Sequence, residues 1–596
     1  MKASRRPSSS LRAPFARRLL TGLGAVAAVG LVQLDSPLHG LHLGASEAEA
    51  AYPPSAEGSH VAVATDNGEA TRAALGTLAR GGNAFDAAIT AALTLGVVSP
   101  LASGLGGGGF ALVYSAKDRK VYALDFRESA PEKLDVEALV GRHKTPDTKE
   151  DPKTRGVSVG VPGEPAGLEW LSEHFARKTL AEDAAPAAAL AQNGFVLGRN
   201  LSEQLAMPFV RAEVAASPAL TAAFYPGGVP LAYGAKVKRP EIGQTIAQFG
   251  AEGAKPFYHG AIAQELARAV QAAGGTMTEK DFADYKVQMR TPLMREIDGK
   301  QVYTMGAPSA GGLMLLETLE MFGASPSSAL AKHGSGSSAT LHLLAEAMRG
   351  AVADRARFAS DPTVQKTVEE LYDTALDPHQ MEARKKRIDA RKTTQAPEFR
   401  TREHGTSHLI IADDEGNVVS MTTTVNGPMG ARIVGASTGI ILNDELDDFS
   451  AAGDIAGFGL VGLGPNRPRP LARPVSSMTP VIVMDHDQPV LAAGGSGGER
   501  IATGVTQAVV GRLIFGLDPG AAVSAPRIHV STGPELFYDA DMAPDVVDGL
   551  KARGEQPKEG PPMRPAVQMV AWETRAGGRK LLAASDPRKM GFAAAQ

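Results

Sequence analysis

The spacing of apolar and polar positions changes along this chain, and its clearest short-period stretch lies two thirds of the way through. Residues 406–413 and 418–425 are runs of aliphatic, β-branched and hydroxyl side chains flanking Asp414-Glu415-Gly416-Asn417. That pattern predicts two half-buried strands joined by a tight turn. Pairing about the turn sets Thr406 near Val425, with Thr424 and Asn426 close by. Thr422, Thr423, Thr424 and Asn426 then surround the open end with donors and acceptors, where a structural hairpin more often ends in apolar or turn residues.

Upstream the period lengthens. Residues 68–79 and 84–94 predict two helices broken at Gly81-Gly82-Asn83. A loop, Ser103-Gly104-Leu105-Gly106-Gly107-Gly108-Gly109, then leads into a strand at 110–115 and a second ending at Phe126. The glycine run lacks Gly-Lys-Ser/Thr and opens a strand instead of a helix, so it reads as close backbone packing and not as a phosphate cradle. Residues 365–404 are charged and helical, with Glu382, Arg384, Lys385, Lys386 and Arg387, and end as a polar linker that runs into Gly405-Thr406. A loose segment there suits a cut followed by withdrawal of the new chain end. Further on, Gly494-Gly495-Ser496-Gly497-Gly498 follows an apolar strand and precedes a helix from about Arg500. It reads as a serine nucleophile loop, as a plain tight turn, or as glycine N–H groups forming an oxyanion hole at a helix N-terminus.

Composition narrows the function class. The chain has 596 residues, 43% of them hydrophobic, enough for a large globular core. Its net charge of -4 leaves no footprint for nucleic acid. With Cys 0, disulfides, thiol catalysis and thiolate metal sites are excluded. Arg5, Arg6, Arg12, Arg17 and Arg18 precede a short apolar run at 19–32, and Ala48-Glu49-Ala50 offers small residues for cleavage. Residues 1–50 therefore read as an export signal, with Arg17-Arg18 allowing a twin-arginine route, and the mature chain is expected in the periplasm or secreted, without a membrane span.

A threonine opening a strand is ordinarily a residue that fits a pleated surface. Cut before Thr406, it becomes a nucleophile and base in one residue, because an α-amine of pKa about 7.7–8.0 can take the hydroxyl proton near neutrality. His408, on the same strand face, is the rival base, though it also reads as a satisfied structural histidine.

The motifs taken together resemble the γ-glutamyltransferase (γ-glutamyl transpeptidase) family of the N-terminal-nucleophile hydrolases. They run from Gly81-Gly82-Asn83-Ala84-Phe85-Asp86-Ala87-Ala88 through Asp125-Phe126-Arg127-Glu128-Ser129-Ala130-Pro131, Gly160-Val161-Pro162-Gly163, Pro308-Ser309-Ala310-Gly311-Gly312 and Ala353-Asp354-Arg355 to Ala584-Ser585-Asp586-Pro587-Arg588. The most specific stretch is Thr406 onward to Gly439-Ile440-Ile441-Leu442-Asn443-Asp444-Glu445-Leu446-Asp447-Asp448-Phe449-Ser450.

The resemblance implies an α+β fold, a four-layer αββα sandwich. It implies self-cleavage between Gly405 and Thr406 into a large subunit (51–405) and a small catalytic subunit (406–596). Thr406 matches the nucleophile, Thr424 the second threonine beside it, and Gly497 and Gly498 the oxyanion glycines. Arg127, Ser476 and Ser477 match the grip on a substrate α-carboxylate, and Asn426, Glu445 and Asp448 the group around its α-amine. The implied activity is transfer or hydrolysis of γ-glutamyl groups from glutathione and related compounds, to water or to amino-acid and dipeptide acceptors, with no metal and no cofactor. Glutaryl or cephalosporin acylases and capsule amidases share the fold with other acyl groups, and an unprocessed, inactive binding protein is the alternative of another class. Phe458 stands in a lid-like segment where a tyrosine is familiar, which predicts a looser gate. Glu445 stands where relatives carry glutamine or glutamate.

Overall fold

The predicted hairpin forms, as Ser407–Ala412 and Val418–Thr424, and lies inside a seven-stranded antiparallel sheet. The order across that sheet is Phe592–Ala595, Ala62–Thr65, Ser407–Ala412, Val418–Thr424, Gly108–Ser115, Lys120–Asp125 and Gln288–Arg290. The computed structural model describes residues 54–142, 152–215, 217–394, 396, 405–451, 454, 463–560 and 565–596. The expected signal at 1–50, the linker at 397–404 and Phe458 lie outside the described residues.

A second seven-stranded antiparallel sheet faces the first, ordered Ala56–Gly58, Gly578–Ser585, Ala566–Arg575, Gln488–Ser496, Val481–Asp485, Lys300–Thr304 and Leu293–Ile297. Period-2 alternation lets the hairpin serve both of its neighbours. Leu409 and Ile411 join the core formed with helices Gly68–Ala79, Ala84–Val98, Leu180–Asn193 and Pro240–Glu252. Ile410 and Ala412 face the other way, into the core shared with Ile482, Leu491 and Met569 of the second sheet. Gly311–Phe322, Ser338–Phe358 and Ile501–Leu513 cover that sheet's far side. The result is the expected αββα sandwich, and a strand buried on both faces gains about 1.5–3 kcal/mol from each large aliphatic side chain.

Two local expectations are modified. Helix Ala84–Val98 starts where predicted, because Asn83 and Asp86 form a reciprocal capping box, but it runs past 94; Thr94 donates to Thr90 O at 2.7 Å and nothing interrupts the helix until Ser99. The hairpin register is one residue off the predicted one: Ser407 pairs with Thr423 and Ala412 with Val418, so Thr406 meets Thr424 and not Val425. The reason lies in the turn, where one Asp413 carboxylate accepts from the N–H groups of Glu415 and Asn417 and from Asn417 Nδ2, drawing Asp413 into the loop.

The glycine run packs as expected. A Cβ at Gly107 would lie 1.8 Å from Thr424 O, so only hydrogen fits between that loop and the end of strand Val418–Thr424. The charged segment before the linker forms helices Val368–Ala375 and Pro378–Arg387 and is then tied down. His342 Nε2 bonds Asp389 O at 2.9 Å, and Glu346 accepts from Thr394 N and Oγ1. Arg349 and Glu555 complete this buried network, which anchors the chain ahead of the linker that leads to Gly405. Among the described residues no helix is long and apolar enough to cross a membrane.

Candidate active site

Thr406 sits at the end of a central strand and is 2% exposed. Its hydroxyl hydrogen-bonds the carbonyl oxygen of Gly405, the same oxygen that accepts from Thr424 Oγ1 at 2.9 Å. Thr424 Oγ1 in turn accepts from Asn426 N at 2.9 Å, and Gly405 N donates to Asn426 O at 2.6 Å. Asn426 has φ +65, a conformation that asparagine tolerates better than most residues and that turns the strand end toward Gly405. The hydroxyl cluster predicted around Thr406 is thus reduced to Thr424. Strand alternation carries Thr423 to the opposite face, where its hydroxyl has no partner among the described residues, while Thr422 lies two residues further along the face and bonds His408 Nδ1 at 2.8 Å.

His408 is a structural histidine. Its ring is fully buried between Thr422 and Ser420, and burial, reinforced by the charge of Lys589, pushes its pKa down to about 3. It stays neutral at ordinary pH, with its Nδ1 occupied by the threonine hydroxyl.

Gly497 has φ +126, which a side chain would strain, and Gly498 opens a single turn ahead of helix Ile501–Leu513. This places Gly497 in the wall of the cavity that Thr406 lines, with Gly498 next to it in the chain at a helix entrance. The serine reading of this loop fails, because Ser496 Oγ donates to Asp66 at 2.5 Å and accepts from Lys589 at 2.6 Å. Both partners are structural ionic groups and neither is a histidine base.

Arg127 is fully buried and forms ion pairs with Glu445 and, at 2.6 Å, with Asp448. Asp448 also accepts from Asn426 Nδ2 at 3.1 Å, so one run of contacts links Gly405 through Asn426 and Asp448 to Arg127. Burial drives the Glu445 pKa well up and Arg127 opposes it. Neither Asp125 nor Glu128, the acidic sequence neighbours of Arg127, forms an ion pair with it. Asp125 is engaged by Arg290 at 2.9 Å and by Arg473 at 2.5 Å, and the Glu128 carboxyl has no hydrogen-bond partner among the described residues. Burial raises Glu128 to about 8, with Arg127 lowering it only in part. Ser476 Oγ accepts from Met478 N at 3.1 Å, and Ser477 Oγ accepts from the buried Arg355. Because guanidinium is donor-only, the Ser477 proton must point elsewhere.

Sequence reading missed Lys589 and Asp66. Lys589 Nζ donates to Thr406 O at 2.7 Å and lies 3.4 Å from Asp66, whose carboxylate also accepts from Gln568 Nε2 at 2.6 Å. The signal was present: Lys589 directly follows the Asp586-Pro587-Arg588 motif, and Asp586 caps the short turn Pro587–Lys589 that aims it.

The chain is similar to several known proteins. Glutathione hydrolase 2 of Arabidopsis thaliana is 36% identical over 557 residues, covering 89% of this chain and 93% of that protein. The glutathione hydrolase proenzyme of Escherichia coli (strain K12) is 33% identical over 503 residues, covering 83% and 85%. Among solved structures, a cephalosporin acylase from Bacillus halodurans superposes with a TM-score of 0.78 at 24% identity over 91% of this chain and 97% of its own, a likeness of fold. The gamma-glutamyltranspeptidase of Helicobacter pylori superposes with a TM-score of 0.50 at 29% identity over 60% of this chain and 95% of its own. The Gamma-glutamyltranspeptidase family model matches residues 70–596, and the chain belongs to that family.

Proposed function

We propose that this protein is an autoprocessed γ-glutamyltransferase and glutathione hydrolase, exported through the segment at 1–50, whose nucleophile is the hydroxyl of Thr406. The observation that carries this reading is the pair of hydroxyls on one carbonyl: Thr406 Oγ1 and Thr424 Oγ1 both bond Gly405 O. A nucleophile is held beside the bond it must break, and a second donor polarises that bond. Attack of Thr406 Oγ1 on the Gly405 carbonyl carbon breaks the Gly405–Thr406 C–N bond, which frees the α-amine of Thr406 and leaves Gly405 as an ester on Oγ1; water then hydrolyses that ester, giving the Gly405 carboxylate and restoring the Thr406 hydroxyl.

In the mature site the amine takes the hydroxyl proton as Oγ1 attacks a γ-amide. The tetrahedral oxyanion forms toward the N–H groups of Gly497 and Gly498, the leaving amine is protonated, and a γ-glutamyl ester remains on Thr406. Water or an acceptor amine then takes the acyl group. The substrate's zwitterion meets a buried charge of opposite sign at each end. Arg127 can fork onto its carboxylate with Ser476 and Ser477 hydroxyls beside it, while Glu445, Asp448 and Asn426 receive its ammonium. Before substrate enters, Arg127 pairs with both Glu445 and Asp448, which keeps each from being buried alone.

Intact mass of the purified protein, beside Thr406→Ala, tests the reading. Cleavage after residues 50 and 405 gives chains of about 37 and 20 kDa, the smaller beginning at Thr406, with the variant left uncut. The mature wild type then releases glutamate from glutathione. A single intact wild-type chain that binds γ-glutamyl compounds without turnover would falsify the mechanism and leave a binding protein.

A further inference from the structure

Two of the sequence motifs, Pro308-Ser309-Ala310-Gly311-Gly312 and Ala353-Asp354-Arg355, have no role in the chemistry at Thr406, yet both converge on Ser476 and Ser477. The first fixes the backbone of the serine pair. Ser476 N donates to Pro308 O at 3.0 Å, Ala310 N donates to Ser476 O at 2.8 Å, and Ser309 Oγ donates to Met478 O at 2.6 Å. A Cβ at Gly311 would lie 2.4 Å from Ser477 O, so this close approach requires glycine. The buried Tyr372 braces the motif by donating to Ser309 O at 3.0 Å.

The second motif reaches a side chain. Arg355 lies buried in the last turn of helix Ser338–Phe358, and its Nη1 donates to Ser477 Oγ, while its neighbour Asp354 pairs with Arg384 at 2.7 Å. A hydroxyl has one proton and two lone pairs, and a guanidinium only donates. With Arg355 on one lone pair, the Ser477 O–H is directed away from it and polarised by the positive charge, which strengthens the hydrogen bond that the hydroxyl gives. That charge matters because Arg127 already faces two carboxylates, Glu445 and Asp448, so an incoming α-carboxylate meets a guanidinium whose attraction is shared. A second guanidinium one hydroxyl away adds positive potential where burial leaves charges weakly screened.

Resting on the γ-glutamyl reading above, we propose that Arg355 is a positioning residue for the donor: acting through Ser477, it fixes that hydroxyl as a hydrogen-bond donor to the substrate α-carboxylate and so sets the preference for donors that carry one. Its effect falls on donor binding more than on the chemical step. The Pro308–Gly312 motif holds the serine backbone, and Arg355 decides what the serine side chain offers.

The test is a double-mutant cycle in the processed two-chain protein, with a γ-glutamyl anilide as donor. Arg355→Met raises the donor KM about tenfold with kcat within about threefold of wild type, and Ser477→Ala does the same. In the Ser477→Ala background, Arg355→Met adds less than about twofold, because the hydroxyl through which it acts is gone. Arg355→Lys keeps the charge without the planar fork; it raises KM about threefold alone, leaves it unchanged beside Ser477→Ala, and carries the cycle where Arg355→Met does not mature. Penalties that multiply in the double variant overturn the proposal, as do a loss of kcat at constant KM and a wild-type KM in the single Arg355 variants. A wild type that hydrolyses a 4-aminobutyryl anilide, which lacks the α-carboxylate, as well as it does the γ-glutamyl anilide strikes instead at the γ-glutamyl reading itself.

Discussion

Thr424→Val isolates the second hydroxyl on the Gly405 carbonyl. Valine matches threonine in shape, so the change removes one bond donated to Gly405 O and one accepted from Asn426 N, both 2.9 Å long, and leaves packing intact. The two losses act on different observables. Asn426 is buried, and an amide deprived of its acceptor costs about 1–3 kcal/mol of stability. In a protein of this size that lowers the melting temperature by about a few degrees at most. Loss of the donor acts on the barrier, since that carbonyl oxygen becomes the oxyanion in the proposed self-cleavage, and removal of one such donor slows comparable reactions by about 10²–10³. The assay is a time course of precursor conversion by intact mass, with thermal melts alongside and Thr424→Ser as the control that restores the hydroxyl. Conversion slowed about a hundredfold in Val and near normal in Ser, with a melting curve little moved, is the expected pattern. A Val variant that matures at the wild-type rate refutes the polarising role of Thr424.

Two other predictions concern the buried charges. Arg127→Lys keeps the charge but loses the fork, so the KM for glutathione should rise about tenfold or more with a smaller change in kcat. A donor analogue without the α-carboxylate should be nearly indifferent to the change, and an equal penalty on both donors would sink the assignment. The second prediction concerns pH. Burial opposes protonation of His342, but its bonds to Glu555 and Asp389 O and the charges of Glu555 and Glu346 together outweigh this and leave its pKa raised, while the bonds and charges of His342 and Arg349 together overcome burial at Glu555 and lower its pKa. A raised histidine contributes stability that is full below its unfolded value of about 6.5 and lost as pH rises through the folded value; a lowered glutamate loses its contribution only as pH falls below about 4.3 toward its folded value. Melting temperature should therefore decline on the alkaline side of about pH 6.5, and His342→Gln should flatten that limb. Identical pH profiles for the two proteins would remove His342 as the cause.

Alternation and turn chemistry by themselves determined that residues 406–425 form a hairpin, that Asn83 starts a helix, and that the glycines before residue 110 serve backbone contact. These are local matters of periodicity, capping and sterics, which a linear chain states directly. Resemblance of ordered motifs added the family and the αββα layers, and it proposed the roles of Thr406, Thr424 and Arg127, because those residues stand at fixed positions within recognisable strings. Register escaped by one residue, since Asp413 looks like a strand end in sequence and folds as part of the turn only when its carboxylate finds two N–H groups.

Contacts between distant segments were decided by the tertiary structure alone. Arg127 chooses Glu445 and Asp448, more than three hundred residues away, over its neighbours Asp125 and Glu128. It does so because Asp125 is already held by Arg290 and Arg473 and the Glu128 carboxyl is buried without a hydrogen bond. Lys589 and Asp66 likewise meet beside Thr406 only because the last strand and an early one lie together at the edge of one sheet. Sequence determines which charges exist; burial, which penalises every charge left alone, determines which of them pair, and that choice builds the site around Thr406.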